Sequence, residues 1–365
     1  MKVLASVTHK PGQLSLEEVT LSAPKESEAL VKTIACGVCH TDSAALHSFI
    51  PVTFPIILGH EGVGIVEEVG SEVTTLKKGD RVIMSFPSCG RCDYCRDDHP
   101  YACDKLNTLF FDGTYNDGTK RFSQNETKIS SFFGQGSFAE YMIIDARNAV
   151  KVDIDSDDDL ANLCSLGCGV QTGAGAVLNC IKPKKDSFIA VFGCGGVGMS
   201  AIMAAAIAEC SIIVGIDVVP ERLELAKELG ATHIINSNEE DPIEGIKRIT
   251  GGGAHYSVEA SGIAKVTLQS LACLRRKGMA VLLSVTGPEE VSIPLEAYLM
   301  NPSVTLTGLC EGGANPQIFI PELVKYYKEK RLPVEKLVKF YEFKDIEKAF
   351  EDSHTGLAIK PVLRF

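Results

Sequence analysis

The pattern of apolar and polar positions divides the chain into two parts of different character. Up to about residue 170, short β-prone runs such as Ala29–Ile34, Gly64–Val69 and Arg81–Met84 are separated by Gly, Pro and Asp. No helical period of any length occurs in this part. The pattern therefore predicts an irregular β domain.

From Ser187 onward, continuous apolar runs alternate with helical patterns. The predicted strands are Phe188–Phe192, Ile212–Asp217, His233–Ile235, Tyr256–Glu259, Met279–Val285 and Val304–Leu309. The predicted helices are an Ala-rich helix that ends near Cys210, Glu221–Leu229, Ala264–Leu274, Pro321–Lys330 and Lys344–Ser353. Strands that are apolar throughout and alternate with helices predict a parallel sheet covered by helices on both faces.

The composition is that of a globular protein and excludes some classes of partner. A length of 365 residues predicts two domains, and 45% of the residues are hydrophobic against 23% charged. The formal net charge of -11 argues against nucleic-acid binding, which requires clustered Lys and Arg. No apolar run has the length of a signal peptide or a membrane span, so we expect a cytoplasmic protein with no membrane partner.

A glycine-rich loop follows the first strand of the second part. Gly193, Gly195 and Gly198 form G-x-G-x-x-G at the start of a predicted helix, where backbone amides can approach a pyrophosphate closely. Asp217 ends the next strand, where an acid can bind the adenosine ribose and repel a 2′-phosphate. This favours NAD over NADP, with Arg222 flanking the adenosine. The alternatives are that the glycine-rich loop is only a structural turn and that Asp217 caps the next helix.

Cysteines are concentrated in one short loop. Cys89, Cys92, Cys95 and Cys103 are spaced C-x2-C-x2-C-x7-C, and four closely spaced thiolates can enclose a tetrahedral structural zinc. Disulfides are disfavoured in a reducing compartment. An iron–sulfur cluster could use similar ligands, although nothing else in the sequence indicates electron transfer.

Three further motifs are far apart in the chain. They are C-G-V-C-H-T-D around Cys39, G-H-E-G-V-G around His60, and G-C-G-V-Q-T-G around Cys168. A lone Cys or His is usually a core residue. In this order, with the cysteine loop between the second and third, the motifs resemble the zinc-dependent alcohol dehydrogenases of the medium-chain dehydrogenase/reductase family. The resemblance extends along nearly the whole chain and is greatest to the benzyl (aryl) alcohol dehydrogenases.

The resemblance implies an α/β fold with two domains and a specific reaction. A GroES-like irregular β catalytic domain would comprise residues 1–169 and 312–365, and a Rossmann doubly wound parallel-sheet domain would bind NAD at residues 170–311. The enzyme would bind two zinc ions per subunit, one catalytic and one structural. It would oxidise a primary alcohol to its aldehyde, as a homodimer or homotetramer joined through the edge strand Val304–Leu309.

The resemblance also implies roles for residues around the catalytic zinc. Cys39, His60 and Cys168 would hold the ion with one position open to substrate, which lowers the pKa of a bound hydroxyl. Thr41 would accept the alcohol proton. Asp42 and Glu61 lie beside the ligands and are candidates for supporting them, and Asp42 would orient the ligand histidine.

Other implied roles concern the cofactor. His40 and Lys360 match basic positions near the pyrophosphate, although either could be an ordinary surface charge. Thr172 and Val197 match positions beside the nicotinamide, and Gly196 belongs to the phosphate loop. Relatives that pass the alcohol proton outward use a histidine at the position of Ala44, so His47 or water would have to replace it here.

Three aromatic residues match positions of the substrate channel: Phe86, Phe132 and Phe133. Aromatic side chains are more often simple core, but here they predict an apolar pocket for a benzyl-type alcohol. Two alternatives stay open. One is oxidation of S-(hydroxymethyl)glutathione, which would need basic groups at the pocket mouth. The other is a zinc- and NAD-binding protein without dehydrogenase activity.

Overall fold

The computed structural model describes residues 1–284 and 289–365 and divides the chain into two units. The first unit consists of residues 1–168, 315–325 and 334–365, and the second of residues 169–314 and 326–333. The sequence assigned residues 1–169 and 312–365 to the first domain, whereas residues 169, 312–314 and 326–333 lie in the second unit. Val285, the last residue of the predicted strand Met279–Val285, lies outside the described residues.

Strands form the sheets of the first unit and the centre of the second. In chain order they are β1 Lys2–Thr8, β2 Ser15–Leu21, β3 Glu28–Gly37, β4 Ile56–Ile57, β5 Glu61–Val69, β6 Arg81–Met84, β7 Phe122–Gln124, β8 Thr127–Ser131, β9 Tyr141–Asp145, β10 Ala149–Lys151, β11 Phe188–Phe192, β12 Ile212–Asp217, β13 His233–Asn236, β14 Ala254–Glu259, β15 Leu274–Leu282, β16 Thr305–Gly308, β17 Val338–Glu342 and β18 Lys360–Arg364.

The helices of the first unit are mostly short, and those of the second are longer. In chain order they are α1 His40–Leu46, α2 Asp93–Arg96, α3 Leu106–Phe111, α4 Asp157–Asn162, α5 Gly169–Gly175, α6 Gly196–Ile207, α7 Pro220–Glu228, α8 Pro242–Thr250, α9 Ala264–Ala272, α10 Pro316–Lys328 and α11 Ile346–His354. None of the helices in the described part of the chain is long and apolar enough to pass through a lipid bilayer.

The first unit is built from a small barrel and a larger sheet. β1, β2, β7, β8 and β4 close the barrel. The sheet has the order β10-β6-β5-β3-β18-β17, with β9 also paired to β3. The last strand of the chain, β18, pairs antiparallel with β3, so that the carboxyl terminus becomes part of the first unit. Fully buried aromatic side chains, among them Phe122 and Phe138, fill its core.

The second unit is a parallel sheet with the strand order β13-β12-β11-β14-β15-β16. The order reverses between β11 and β14, which both pair with their neighbours in parallel. Ligands bind at such a reversal, outside the carboxyl ends of the strands. The predicted α/β class, with an irregular β domain and a doubly wound parallel-sheet domain, is confirmed by this architecture.

Most predicted strands of the second unit coincide with observed ones. β11 and β12 have the predicted ends, and β13, β14 and β16 differ from prediction by one or two residues at their ends. The edge strand Val304–Leu309 is observed as β16, Thr305–Gly308, at the edge of the sheet. Its pairing with a second copy of the chain stays a prediction.

The first part also contains short helices, which its sequence pattern did not indicate. α1, α2, α3 and α4 all precede residue 168, but each spans two turns or fewer, so a helical period has no room to repeat. α5 was also missed. It is buried on every side, so its sequence shows no polar face.

A buried carboxylate fastens α11 to the strand before it. Asp352 accepts hydrogen bonds from Lys339 Nζ (2.8 Å) and Tyr341 OH (2.5 Å) on β17 and from Lys348 Nζ (2.5 Å) on α11 itself. These three donors hold the pKa of Asp352 below its ordinary range. The carboxylate therefore stabilises the fold as long as it is ionised.

Replacing Asp352 with Asn should lower the melting temperature at neutral pH by at least about 2 °C, because the amide does not pair with the two ammonium groups. Since the folded-state pKa is depressed, this stabilisation is present above the unfolded pKa of about 3.9 and is lost as the pH falls through the folded pKa. The difference between wild type and D352N should therefore shrink in acid. Thermal scans from pH 3 to 8 would measure it.

E351Q is the matched control, since Glu351 is an exposed neighbour on α11 that pairs with Lys348 at 3.5 Å. Exposed pairs contribute little, so this variant should melt almost as wild type does. Equal melting temperatures for D352N and wild type at pH 7 would show that the Asp352 contacts do not stabilise the fold.

Candidate metal and dinucleotide sites

The first unit brings the three dispersed motifs together. Cys39 is the residue before α1, His60 lies immediately before β5, and Cys168 is the last residue before α5. With Glu61, they place one ligand atom each within 4.8 Å of one another. Segments distant in sequence therefore converge on one point.

The Asp42 carboxylate fastens two of these segments to each other. Its Oδ2 accepts a hydrogen bond from the amide of Cys39 (3.0 Å), while Oδ1 accepts from the amide of Gly59 (3.0 Å) and contacts His60 Nδ1 (2.9 Å). Asp42 is fully buried. The sequence offered a signal for this role, because Asp42 follows Cys39 by three residues. At that spacing an acidic side chain reaches back to the amide of the residue that precedes a helix.

The remaining ring nitrogen of His60 indicates what the cluster binds. Nε2 is buried and has no hydrogen-bond partner in the described part of the chain. A buried polar atom without a partner is unfavourable unless a ligand meets it. Two thiol sulfurs and one imidazole nitrogen form the ligand set of a catalytic zinc. A histidine that binds zinc is usually supported by a hydrogen bond from its other ring nitrogen to a carboxylate, as His60 is by Asp42. The residues therefore fit a zinc ion.

The charges around the cluster favour the thiolate form of Cys39 and the protonated form of His60. A hydrogen bond from the neighbouring Cys168, together with the positive charge of Lys360, lowers the pKa of Cys39 well below its ordinary range, against the effect of burial. Burial lowers the pKa of His60, but its contact with Asp42 more than offsets this and raises the pKa well above the usual value. Binding of a metal must therefore displace a proton from this site.

Lys360 lies inside the first unit, beside the metal cluster. Its ammonium is buried, donates to both carboxylate oxygens of Glu61 at 2.7 and 2.9 Å, and lies 3.4 Å from the carbonyl oxygen of Val38. Although burial lowers the pKa of Lys360, the charge of Glu61 raises it above the ordinary value. The alternative of an ordinary surface charge is therefore wrong. The implied contact with the cofactor pyrophosphate stays a prediction, and the pairing with Glu61 was missed.

The residues after Cys39 follow one another along α1. The Thr41 hydroxyl lies 3.7 Å from the Cys39 sulfur, at the edge of the metal cluster. His40 and His47 are exposed, and Ala44 is half-buried. Thr41 is therefore placed for contact with a molecule at the cluster, while both histidines are open to solvent.

Aromatic rings surround the cluster on one side. Phe133 stacks on His60 with ring centroids 4.6 Å apart, and Phe132 meets His60 edge-on at 5.5 Å. Phe110 stacks on Phe133 at 4.0 Å, and Phe86 lies 6.3 Å from Phe110. The three predicted pocket residues thus lie in one aromatic group. Phe110 and Phe111 also belong to it, and their position in an aromatic run of the sequence was the available signal.

The four-cysteine loop folds into a compact lobe with its own small core. Backbone amides point at the sulfurs: Cys92 N lies 3.3 Å from Cys89 Sγ, and Cys89 N lies 3.3 Å from Cys103 Sγ. Burial raises the pKa of Cys89, but the amides of Arg91 and Cys92 more than offset this and lower it to about 6. The four sulfurs, one from each of the predicted cysteines, lie within 4.8 Å of one another. This arrangement fits a structural zinc.

In the second unit, the glycine-rich loop joins β11 to α6 and has two kinds of glycine. At Gly193 (φ +90°) a Cβ would lie 2.9 Å from Ser261 N, and at Gly198 it would lie 1.7 Å from the carbonyl oxygen of Gly193. These two are required by the packing of the protein itself. At Gly195, before α6, no atom of the described residues other than its two chain neighbours lies within 4 Å of the point that a Cβ would occupy. This open space at a helix N-terminus fits a bound pyrophosphate.

Asp217, at the end of β12, accepts hydrogen bonds from backbone amides of the glycine-rich loop and of the two residues that follow it. Its Oδ2 accepts from the amide of Cys194 (2.6 Å), and its Oδ1 accepts from the amides of Val218 (2.8 Å) and Val219 (3.0 Å). No side chain of the described residues caps α7, so the capping alternative finds no support. Arg222 is half-buried, and its Nε has no hydrogen-bond partner in the parts of the chain that the structure describes.

The remaining predicted cofactor residues lie where α5 packs on α6. A Cβ at Gly173 would lie 2.0 Å from the carbonyl oxygen of Val197, so the two helices touch backbone to backbone. Thr172 precedes this contact and is nearly buried. Gly196 is the first residue of α6, and its carbonyl accepts from Ser200 Oγ at 2.7 Å. Val197 thus contacts Gly173, the residue after Thr172.

Comparison with known proteins gives matches over both units. Residues 25–154 match the alcohol dehydrogenase GroES-like domain, and residues 196–326 match the zinc-binding dehydrogenase family. The chain is 40% identical over 357 residues to geraniol dehydrogenase of Castellaniella defragrans, covering 97% of this chain and 95% of the relative.

Solved structures match over the full length. An alcohol dehydrogenase zinc-binding domain protein from Burkholderia ambifaria has a TM-score of 0.97 at 40% identity, covering 100% of this chain and 99% of that one. Benzyl alcohol dehydrogenase from Acinetobacter calcoaceticus has a TM-score of 0.96 at 37% identity, with the same coverage.

Metal analysis of three cysteine variants should separate the two clusters. The wild-type protein should contain about two zinc ions per chain, and C39S and C95S should each lose about one, because each removes a ligand from a different cluster. C95S should also melt at a lower temperature, since a structural zinc contributes folding energy. Elemental analysis of the purified proteins would count the ions.

C180S is the control, because Cys180 is half-buried and belongs to neither cluster. It should keep both ions. If C95S kept about two zinc ions per chain, the cysteine lobe would not be a metal site.

Proposed function

Because this chain belongs to the zinc-dependent alcohol dehydrogenase family, we propose that it oxidises apolar primary alcohols of the benzyl type to aldehydes, using NAD. The family membership establishes an alcohol dehydrogenase with zinc and a nicotinamide dinucleotide. The choice of alcohol and of NAD is the proposal. The observation that carries it is the group of phenylalanines packed around the metal ligand His60.

The protein's own residues bind and orient the reactants. Cys39, His60 and Cys168 would hold the catalytic zinc, with Asp42 fixing the first two relative to each other. When bound, zinc supplies a Lewis acid that lowers the pKa of the alcohol hydroxyl, and NAD accepts the hydride. The net reaction converts alcohol and NAD to aldehyde, NADH and a proton.

Thr41 is the residue that we assign to accept the hydroxyl proton. Its hydroxyl lies beside the Cys39 sulfur and is both a donor and an acceptor, so it passes a proton on without becoming charged. Ala44 has no group to continue the relay. We assign the next step to His47, which follows on the exposed end of α1, or to water.

The aromatic group favours a flat or unsaturated apolar substrate. Phe86, Phe132 and Phe133 are all buried, and Phe110 and Phe111 extend the apolar surface beside His60. An apolar wall at the metal strengthens local electrostatic interactions and binds a hydrocarbon better than a small polar alcohol. Benzyl alcohol and geraniol, the substrates named for two relatives, share a hydroxyl carbon attached to an unsaturated carbon.

Asp217 supports the choice of NAD. Its carboxylate is held by three backbone amides at the end of β12, next to the glycine-rich loop. A fixed negative charge there accepts hydrogen bonds from a ribose and repels a 2′-phosphate. We assign Arg222, in the first turn of α7, to flank the adenosine.

Rates measured with a panel of alcohols test the proposed substrate preference. With NAD in excess, kcat/KM for benzyl alcohol should exceed that for ethanol by about tenfold to hundredfold, because burying an aromatic group contributes about 1.5–3 kcal/mol. Geraniol should also exceed ethanol. NADH absorbance would follow the initial rates on protein whose zinc content has been measured.

The outcomes of the panel separate the alternatives. A preference for ethanol would contradict an apolar pocket. A preference for formaldehyde with glutathione would indicate the S-(hydroxymethyl)glutathione class. Zinc-loaded protein that turns over none of these alcohols would contradict the proposed reaction and support a binding role.

Replacing Asp217 with Asn should raise KM for NAD and improve the use of NADP. The ratio of kcat/KM for NAD to that for NADP should fall by about tenfold to hundredfold, since hydrogen bonds to a charged group contribute about 1.5–3 kcal/mol. E221Q is the control, because Glu221 is an exposed acid in the first turn of α7. An unchanged ratio in D217N would remove Asp217 from the ribose site.

A further inference from the structure

Phe133 has a backbone conformation that a bulky residue rarely adopts. Its φ is +52° and its ψ is 29°, in the left-handed region, inside the turn Phe132–Gly134. Gly134 (φ +59°) and Gly136 (φ +63°) adopt positive φ nearby, where glycine meets no steric penalty. A phenylalanine is strained in this conformation, and such residues cluster at functional sites.

The strained backbone directs the Phe133 ring onto the metal ligand. The ring stacks on His60 with an interplanar angle of 29° and on Phe110 with an angle of 23°. Phe133 is therefore sandwiched between these two rings. Phe132, its chain neighbour, meets His60 at 82°, so one dipeptide contacts the imidazole in two orientations.

Backbone hydrogen bonds keep this turn in place against the segment that carries His60. Ser137 N donates to Gly59 O (3.0 Å), and Phe138 N donates to Leu58 O (3.0 Å). Gln135 is fully buried, and its Nε2 donates to Ser85 O at 2.9 Å. The turn is thus fixed independently of the Phe133 side chain, which explains how the strain persists.

The contact with Asp42 does not by itself determine the orientation of the His60 ring. It fixes Nδ1 at 2.9 Å but leaves the imidazole free to tilt about that contact. A ring stacked on the imidazole face restricts this tilt. The direction of Nε2, the atom that faces the other ligands, depends on both contacts.

We propose that Phe133 is a positioning residue for the zinc ligand His60, held in a strained conformation so that its ring sets the plane of the imidazole. This role rests on the catalytic zinc and not on the identity of the alcohol. It is separate from any contribution of Phe133 to the substrate pocket.

One substitution of Phe133 itself and one of its other stacking partner, Phe110, test the proposal. F133L keeps an apolar side chain but removes the aromatic face on His60, whereas F110L removes the ring on the other side of Phe133. The rate at which a chelator extracts the catalytic zinc should rise about tenfold to hundredfold in F133L, the usual effect of losing a group that orients a metal ligand. F110L should stay within about twofold of wild type.

The visible spectrum of the cobalt-substituted protein is the second readout, because it reports ligand geometry without any alcohol or cofactor. The spectrum should shift in F133L and in F133M, a more flexible apolar replacement. F133Y keeps the aromatic face and should restore both the spectrum and the slow zinc release.

A wild-type spectrum and wild-type zinc release in F133L and F133M, with only KM for the alcohol changed, would overturn the proposal. Equal effects of F110L and F133L would also overturn it, because they would indicate general packing. Failure of the benzyl alcohol proposal would leave these metal readouts unaffected, so the two ideas are tested separately.

Discussion

The Asp42 carboxylate is the interaction on which the metal site depends. It is buried, and burial of a charge is strongly unfavourable unless donors surround it. The amides of Cys39 and Gly59 and the ring of His60 meet that requirement, and in doing so they join the start of α1 to the residue before β5. Loss of this carboxylate would free two metal ligands at once, because the same charge holds both.

The surroundings of the site follow from this arrangement. The hydrogen bond from Cys168 and the positive charge of Lys360, which pairs with Glu61, lower the pKa of Cys39 and favour the thiolate that a metal binds. The phenylalanines on the other side exclude water and reduce the local dielectric, so that these charges interact more strongly. A charged side and an aromatic side thus meet at His60. This combination suits a reaction in which an apolar alcohol loses a proton and a hydride.

In the second unit, the proposed dinucleotide site is formed mainly by backbone atoms of the glycine-rich loop. Gly193 and Gly198 are required because neighbouring backbone atoms leave no room for a Cβ, while Gly195 borders open space. Asp217 organises the loop through its amides and adds a fixed negative charge. The same short segment therefore contains both the open space proposed for the phosphates and the carboxylate proposed to distinguish NAD from NADP.

The sequence by itself determined the features that depend on near neighbours in the chain. The strands β11 and β12, the glycine-rich loop, the spacing of Cys89, Cys92, Cys95 and Cys103, and the position of Asp42 after Cys39 are local patterns, because period, turn chemistry and ligand spacing operate over a few residues. The distant ligands Cys39, His60 and Cys168 were joined only by resemblance to a family, since no spacing rule connects them. Short helices such as α1 were missed because they are too short to show a period.

The tertiary structure alone decided the contacts between segments far apart in the chain. It paired Lys360 with Glu61, stacked Phe133 on His60, and gave Phe133 a positive φ that no sequence pattern predicts for a bulky residue. Whether a side chain is buried, and which residue it pairs with, are properties of the folded chain, because both depend on which distant segments surround it. A lysine that looks like a surface charge in the sequence is therefore a buried ion-pair partner in the fold.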